Sequence, residues 1–337
     1  MNHILDQEKF KRICPNYNYI PVINKQKSRI VAIGDLHGDY QLMIDILKLA
    51  RVIDNNNNWI GSDTYIVQVG DQIDRCRPRL YGCHDPRETV DDENSDIKIL
   101  EYMTDLHNKA IKSGGAVISL LGNHELMNST NNLNYVSYQN LLNYDKNIEE
   151  AKRLRYEDFM PTGNMGKKLG CTRLSLVIIG DYLFVHGGVI KSFINNFHIK
   201  NRDDFVKINN LIRDWLVTGK EIKKEKDLLY ASDSIFWERT LGKTPVGLDE
   251  KDDKCKKINE VLDMYDLGGM IIGHTPQIHN NQLVGINTTC SNKLIRVDYG
   301  GSKAFNVFDL NGNLTRMRLV QALEITKDGV VNILSNK

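Results

Sequence analysis

Apolar residues along this chain gather into short runs that end on a glycine and a polar residue, and amphipathic stretches separate the runs. Residues 30–33 end at Gly34-Asp35, residues 65–69 at Gly70-Asp71, and residues 116–121 at Gly122-Asn123. Runs of this length, rich in β-branched residues and closed by turn residues, predict buried strands. After the first, Asp39 is placed to cap a helix reaching to about Arg51, with Leu42, Met43, Ile46, Leu47 and Ala50 on one face. After the second, Ile97, Leu100, Met103, Leu106 and Ala110 or Ile111 form the same stripe across residues 96–112, which Gly114-Gly115 stops.

The second half changes character. Two apolar runs within residues 175–185 are split by Gly180-Asp181, which predicts a hairpin whose second strand leads into His186. Residues 270–272 lead into Gly273-His274, and residues 294–297 into Asp298. Residues 306–319 carry Asn311-Gly312-Asn313 between apolar runs, another hairpin signal. Strand-helix units followed by hairpins predict a mixed α/β class with helices outside the sheets. The boundaries that follow are an N-terminal extension over 1–28, one domain over 29–325 and a tail over 326–337.

Composition narrows the class without naming a chemistry. With 41% hydrophobic and 26% charged residues and a formal net charge of +1, the chain reads as an ordinary globular enzyme, and no global nucleic-acid footprint is present. No apolar stretch approaches the ~20 residues that span a bilayer. The first twelve residues hold charges and no apolar core of signal-peptide length. The expectation is an intracellular protein, cytoplasmic or nuclear. Six cysteines in 337 residues do not suggest a disulfide scaffold. Cys76, Cys83 and His84 fit no common zinc spacing, so free thiols are expected there, with a Cys76–Cys83 disulfide as the alternative.

The chemistry lies at the strand ends. Gly34-Asp35-Leu36-His37-Gly38, Gly70-Asp71-Gln72-Ile73-Asp74-Arg75, Gly122-Asn123-His124-Glu125, His186-Gly187-Gly188 and Gly273-His274-Thr275 each follow an apolar run. Asp35, His37, Asp71, Asn123, His186 and His274 make an oxygen and nitrogen set without thiolate, which suits two divalent ions such as Mn, Fe or Zn. Asp71 is the candidate for a carboxylate shared by both. Arg75 is placed to grip phosphate oxygens with its planar fork. His124 is the candidate general acid, and Asp74 the carboxylate that orients it. The set contains what hydrolysis of a phosphate ester requires.

At these residues the chain resembles the calcineurin-like metallophosphoesterases, and more narrowly the phosphoprotein phosphatases. The resemblance spans residues 29–301. It implies a ββ sandwich flanked by helices in four αββα layers. Asp35, His37 and Asp71 would hold one metal, and Asp71, Asn123, His186 and His274 the other. A hydroxide bridging the ions would attack phosphorus, Arg75 would bind phosphate, and Asp74 with His124 would form the acid pair. Cys76 stands where the family usually has Gly, and a longer segment follows it. Phe236-Trp237-Glu238-Arg239, with Thr275-Pro276 after His274, resembles the bacterial-like (Shewanella-like) branch, where a Trp-x-Arg segment supplies a second phosphate arginine; Arg239 is that candidate. The implied substrate is a phosphoprotein or phosphopeptide carrying phosphoserine or phosphothreonine. The alternatives are a dinucleoside polyphosphate hydrolase and, among non-enzymes, a phosphoprotein-binding scaffold. No membrane or nucleic-acid partner is expected, and no motif specifies a regulatory subunit.

Overall fold

A computed structural model of the chain describes residues 2–279, 282–308 and 318–336. Its strands, in chain order, are β1 (Ile23–Asn24), β2 (Arg29–Ile33), β3 (Tyr65–Gln68), β4 (Ala116–Leu120), β5 (Arg173–Leu174), β6 (Leu176–Ile179), β7 (Tyr182–Val185), β8 (Gly269–Ile272), β9 (Ile278–His279), β10 (Gln282–Leu283), β11 (Asn287–Thr289), β12 (Leu294–Arg296), β13 (Gln321–Thr326) and β14 (Val331–Ser335). One six-stranded sheet has the order β14-β13-β2-β3-β4-β5, and the other β1-β6-β7-β8-β12-β11.

Side-chain alternation along the strands decides the layers. In the first sheet Ile30, Ala32, Val67 and Ile118 enter one core cluster, which also takes Val177, Phe184, Ile271 and Ile295 from the second sheet. Their sequence neighbours Val31, Ile33, Ile66 and Val117 enter another cluster with Leu42, Met43 and Ile46 of the helix Tyr40–Leu49 and Ile99 and Met103 of the helix Asp96–Ala110. The helices Asp204–Thr218 and Lys256–Tyr265 add Ile212, Val261 and Leu262 to the larger cluster. The expected mixed α/β architecture, two sheets with flanking helices, is the one found. Asp39 caps its helix as expected, its Oδ1 accepting the Leu42 N–H at 3.1 Å.

Both ends of the chain contribute to this fold. The helix Asn2–Ile13 brings Phe10 and Cys14 against Cys171 and Val217, and β1 pairs Ile23 with Ile178 of β6. Residues 326–337, read as a tail, carry β14, which closes the edge of the first sheet against β13. The hairpin anticipated at Asn311-Gly312-Asn313 lies outside the described residues.

The cysteine expectation is corrected. Cys14–Cys171, Cys76–Cys83 and Cys255–Cys290 are disulfide-bonded, and no cysteine is free. Two of these bonds join cysteines 157 and 35 positions apart, which spacing alone does not relate. No helix among the described residues is long and apolar enough to cross a membrane.

Candidate active site

Parallel pairing brings the ligand-bearing turns to one edge. β2, β3 and β4 run parallel in register, Ile33 beside Gln68 and Gln68 beside Ser119, so their chains leave the sheet together. In the facing sheet Val185 pairs with Ile272, and His186 and His274 follow one and two residues later. The turns are laced to each other. Leu36 and His37 N–H groups both donate to the Asp71 carbonyl at 2.9 Å, and Gly38 N–H to Gln72 at 2.9 Å. His37, Asp71, Asp74 and His274 all hold positive φ, between 43° and 70°. Such backbone is costly for non-glycine residues and persists where surrounding bonds fix it, as they do here. A Cβ on Gly122 would lie 2.1 Å from Asp71 Oδ1, and one on Gly273 2.3 Å from Asp35 Oδ1, so these two positions admit only glycine.

Six predicted ligands converge in the buried space beneath these turns. Asp71 Oδ2 is 3.3 Å from His186 Nε2, 3.8 Å from His37 Nε2 and 3.9 Å from His124 Nε2. Ligand atoms of His37, Asp71 and His124 form one close group, and those of Asp71, His186 and His274 a second, so Asp71 is common to both. Asn123 Oδ1 is 2.9 Å from His186 Nε2. Asp35 stands 3.9 Å from His37 Nε2, and both its oxygens also accept the His274 N–H, at 3.3 and 3.0 Å.

This arrangement fits bound cations. Both ring nitrogens of His274 are buried without a hydrogen-bond partner, which is rare unless a group outside the chain takes them. His186 uses Nδ1 on the Val69 carbonyl at 2.9 Å, leaving Nε2 to meet two oxygen acceptors at once. Burial opposes charge on Asp71, yet His186, His124 and His37 outweigh it and hold its carboxyl well below the usual range. Burial and the carboxylates of Asp298 and Asp71 push Asp35 well up. Burial, with Arg77 beside it, keeps His37 well below the ordinary imidazole range, and burial and His186 do the same to His274. Neutral imidazoles are the form that ligates a metal.

His124 sits next to this cluster with its acid-pair partner. Its Nδ1 is 2.8 Å from Asp74 Oδ2, and Asn128 Nδ2 donates to both Asp74 oxygens at 3.0 and 3.1 Å. Arg155 donates through Nε to Asn128 Oδ1 at 2.8 Å and through Nη2 to Asp96 Oδ2 at 2.7 Å. Asp96 Oδ1 in turn accepts the Asp74 N–H at 3.2 Å. Glu125 pins the ligand turns from below, accepting the N–H groups of Gly122 at 2.7 Å, Asp71 at 3.0 Å and Gln72 at 2.7 Å. Asn128, Arg155, Asp96 and Glu125 were missed in the sequence. Asn128 lies one helical turn beyond His124 and was findable on that ground; Arg155 and Asp96 come from distant helices and left no local signal.

The predicted arginines divide. Arg239 lines the cavity above the cluster, a space of about 840 Å³, and its Nη1 donates to the His274 carbonyl at 2.7 Å. Trp237 lines the same cavity, with its indole N–H on the Leu229 carbonyl at 2.7 Å and its ring edge-on to His274 at 5.9 Å. Arg75 is not brought to the cavity. It is 1% exposed, and its Nη1 is taken by the Gly38 carbonyl at 2.9 Å and Glu93 at 2.7 Å, acceptors behind the first ligand turn. Asp298, left out of the predicted ligand set, is buried beside the cluster with one unpartnered oxygen, and burial pushes its carboxyl up to about 6.

The chain belongs to the calcineurin-like phosphoesterase family, which matches residues 28–277. Enzymes of this family work with a dinuclear divalent metal centre, and the two ligand groups sharing Asp71 suit one. Shewanella-like protein phosphatase 1 of Plasmodium berghei is 30% identical over 308 residues, covering 89% of this chain and 74% of that protein. Shewanella-like protein phosphatase 2 of Arabidopsis thaliana is 27% identical over 350 residues, covering 93% and 78%. An uncharacterised protein of Acanthamoeba polyphaga mimivirus is 37% identical over 251 residues, 69% of this chain and 97% of that one. The two Shewanella-like phosphatases among them support the branch read from Trp237-x-Arg239. A cold-active protein-tyrosine phosphatase of a psychrophilic Shewanella species superposes with a TM-score of 0.63 over 94% of this chain and 83% of its own, at 21% identity, which shows a shared fold.

Proposed function

We propose that the chain is a phosphomonoesterase of phosphoserine or phosphothreonine in proteins, working with two divalent ions drawn from manganese, iron and zinc. The observation that carries this reading is Asp71, a buried carboxylate common to two ligand groups, with the His124–Asp74 pair beside it. Asp35, His37 and Asp71 would hold one ion, and Asp71, Asn123, His186 and His274 the other. Bound there, the ions would supply Lewis acidity toward the phosphoryl oxygens and toward water. Asp74 occupies Nδ1 of His124, so Nε2 is the atom that presents a proton to the leaving oxygen. Arg239, tethered by the His274 carbonyl, offers its remaining N–H groups to the phosphoryl group. A protein substrate is supported by the names of the relatives and by the wide cavity, whose lining includes Tyr81, Trp237 and Phe308.

Turnover of a phosphopeptide, a dinucleoside polyphosphate and an aryl phosphate, each with Mn²⁺ and with chelator, tests the reading. Cleavage of the phosphopeptide that chelator abolishes is the expected result. His186→Ala should lose bound metal by elemental analysis and lose turnover together. Cleavage of the dinucleotide alone, or full activity in chelator, would overturn the proposal.

A further inference from the structure

Arg75 sits where the family pattern puts the phosphate arginine, yet it is buried away from the cavity, with Nη1 donating to Gly38 and Glu93 and Nε without a partner. A different arginine reaches the cavity. Arg77 lines it together with His37, Asp71, Asn123 and His124. Its guanidinium lies 5.0 Å over the Phe305 ring and 5.7 Å over the Tyr135 ring, both of which also line the cavity. Nη1 donates to the carbonyls of Asp74 at 3.0 Å and Cys76 at 2.8 Å. Nε and Nη2 have no acceptor among the described residues, as is true of Arg75 Nε; what sets Arg77 apart is its place in the cavity wall. Arg77 is close enough to Asp71, Asp74, Asp298 and His37 to act on their charges.

The segment carrying Arg77 is held in place. Cys76 is bonded to Cys83, and its N–H donates to the Tyr135 carbonyl at 3.1 Å. His84 Nε2 is 2.9 Å from the Leu133 carbonyl, which docks the far side of the same loop on the same neighbouring segment. A planar cation stacked on two rings, fixed by carbonyls of its own turn and left with free donors beside a metal-ligand cluster, is built to meet a tetrahedral dianion.

We infer that Arg77, not Arg75, is the guanidinium that binds the substrate's phosphoryl group, with Arg239 as the other cation lining the cavity. Arg75 instead anchors the Gly38 turn and Glu93 behind the ligands. The inference rests on the phosphoesterase reading of the site but concerns equilibrium binding of phosphate, so it can fail separately.

The test is calorimetric binding of inorganic phosphate to the Mn²⁺-loaded full chain, with metal content and melting temperature measured for every variant. Arg77→Ala should weaken phosphate roughly 10- to 100-fold at unchanged metal content, the loss expected for a charge-assisted bidentate contact. Arg77→Lys keeps the charge and the fold of the loop but not the planar fork, and should recover only part of the affinity. Arg75→Lys should leave phosphate affinity within about 3-fold of the unsubstituted chain while lowering the melting temperature. Unchanged affinity in both Arg77 variants would overturn the inference. So would a 10-fold loss in Arg75→Lys at unchanged melting temperature. If phosphate binding depends on Arg77 but no phosphomonoester is turned over, the inference stands and the enzymatic reading falls.

Discussion

Replacing Arg155 by Met tests whether the buried network behind His124 serves both the fold and the acid. Arg155 is completely buried, its guanidinium packed 4.8 Å from the Phe159 ring. It pairs with Asp96 at 2.7 Å, lies 3.7 Å from Asp74 and holds Asn128 at 2.8 Å. Met keeps the apolar stem and removes the charge. Breaking one partner of a buried ion pair costs about 3–5 kcal/mol, because the other charge stays buried. The pH dependence has a definite sign. Burial already pushes Asp96 up to about 6 against the pull of Arg155, from an ordinary value of about 3.9. Folded protein therefore holds an extra proton between those values, and the contribution of Asp96 to stability is present at low pH and lost as pH rises through about 6. Without Arg155 the carboxyl rises further, so the deficit against the unsubstituted chain should be larger at pH 8 than at pH 5. Urea unfolding at both pH values measures it. In kinetics, Asn128 loses its anchor and Asp74 a neighbouring charge, so turnover of an alkyl phosphate should fall roughly 10- to 100-fold and that of an aryl phosphate less, since aryloxides leave with little protonation. A variant within about 1 kcal/mol of the parent at both pH values, with the same alkyl-to-aryl ratio, would refute the reasoning.

Two further outcomes are expected. By loop-closure entropy, Cys14–Cys171, which spans 157 positions, is worth about 5 kcal/mol and Cys76–Cys83, which spans 7, about 2 kcal/mol; Cys14→Ser should therefore lower the urea midpoint more than Cys76→Ser, and the reverse order would count against the unfolded-state account. His107 accepts the Val117 N–H through Nδ1 at 3.2 Å while burial holds its pKa down to about 4. Its folded value is depressed, so the stability it contributes is present above about 6.5 and lost as pH falls toward 4, up to ~3 kcal/mol. His107→Gln should flatten that part of the stability-pH profile, and an unaltered slope would remove His107 as its cause.

Strand ends were legible because a buried strand in a parallel sheet is a run of apolar residues, and a ligand turn must follow it with glycine and a short polar side chain. Asp35, His37, Asp71, Asn123, His186 and His274 each follow such a run, and the fold brings their turns together. Asp74 and His124 came from the same motifs and lie 2.8 Å apart. Arg155 was invisible because its partners Asp96, Asn128 and Asp74 belong to other segments, 59, 27 and 81 positions away. Two of the disulfides were hidden for the same reason, their cysteines lying 157 and 35 positions apart, while the Cys76–Cys83 bond was the alternative to free thiols.

The amino-acid order alone determined the class of chemistry, since motifs ending apolar runs bear the ligands whatever the remainder of the chain does. It assigned the phosphate to Arg75 and did not weigh Arg77. The two lie one and three residues past Asp74, and they differ in which neighbours each meets. Tertiary structure supplied that difference: Gly38 and Glu93 take Arg75 into the interior, while Phe305 and Tyr135 hold Arg77 at the cavity. Local pattern encodes what a segment can carry, and only packing between segments sets what each side chain faces.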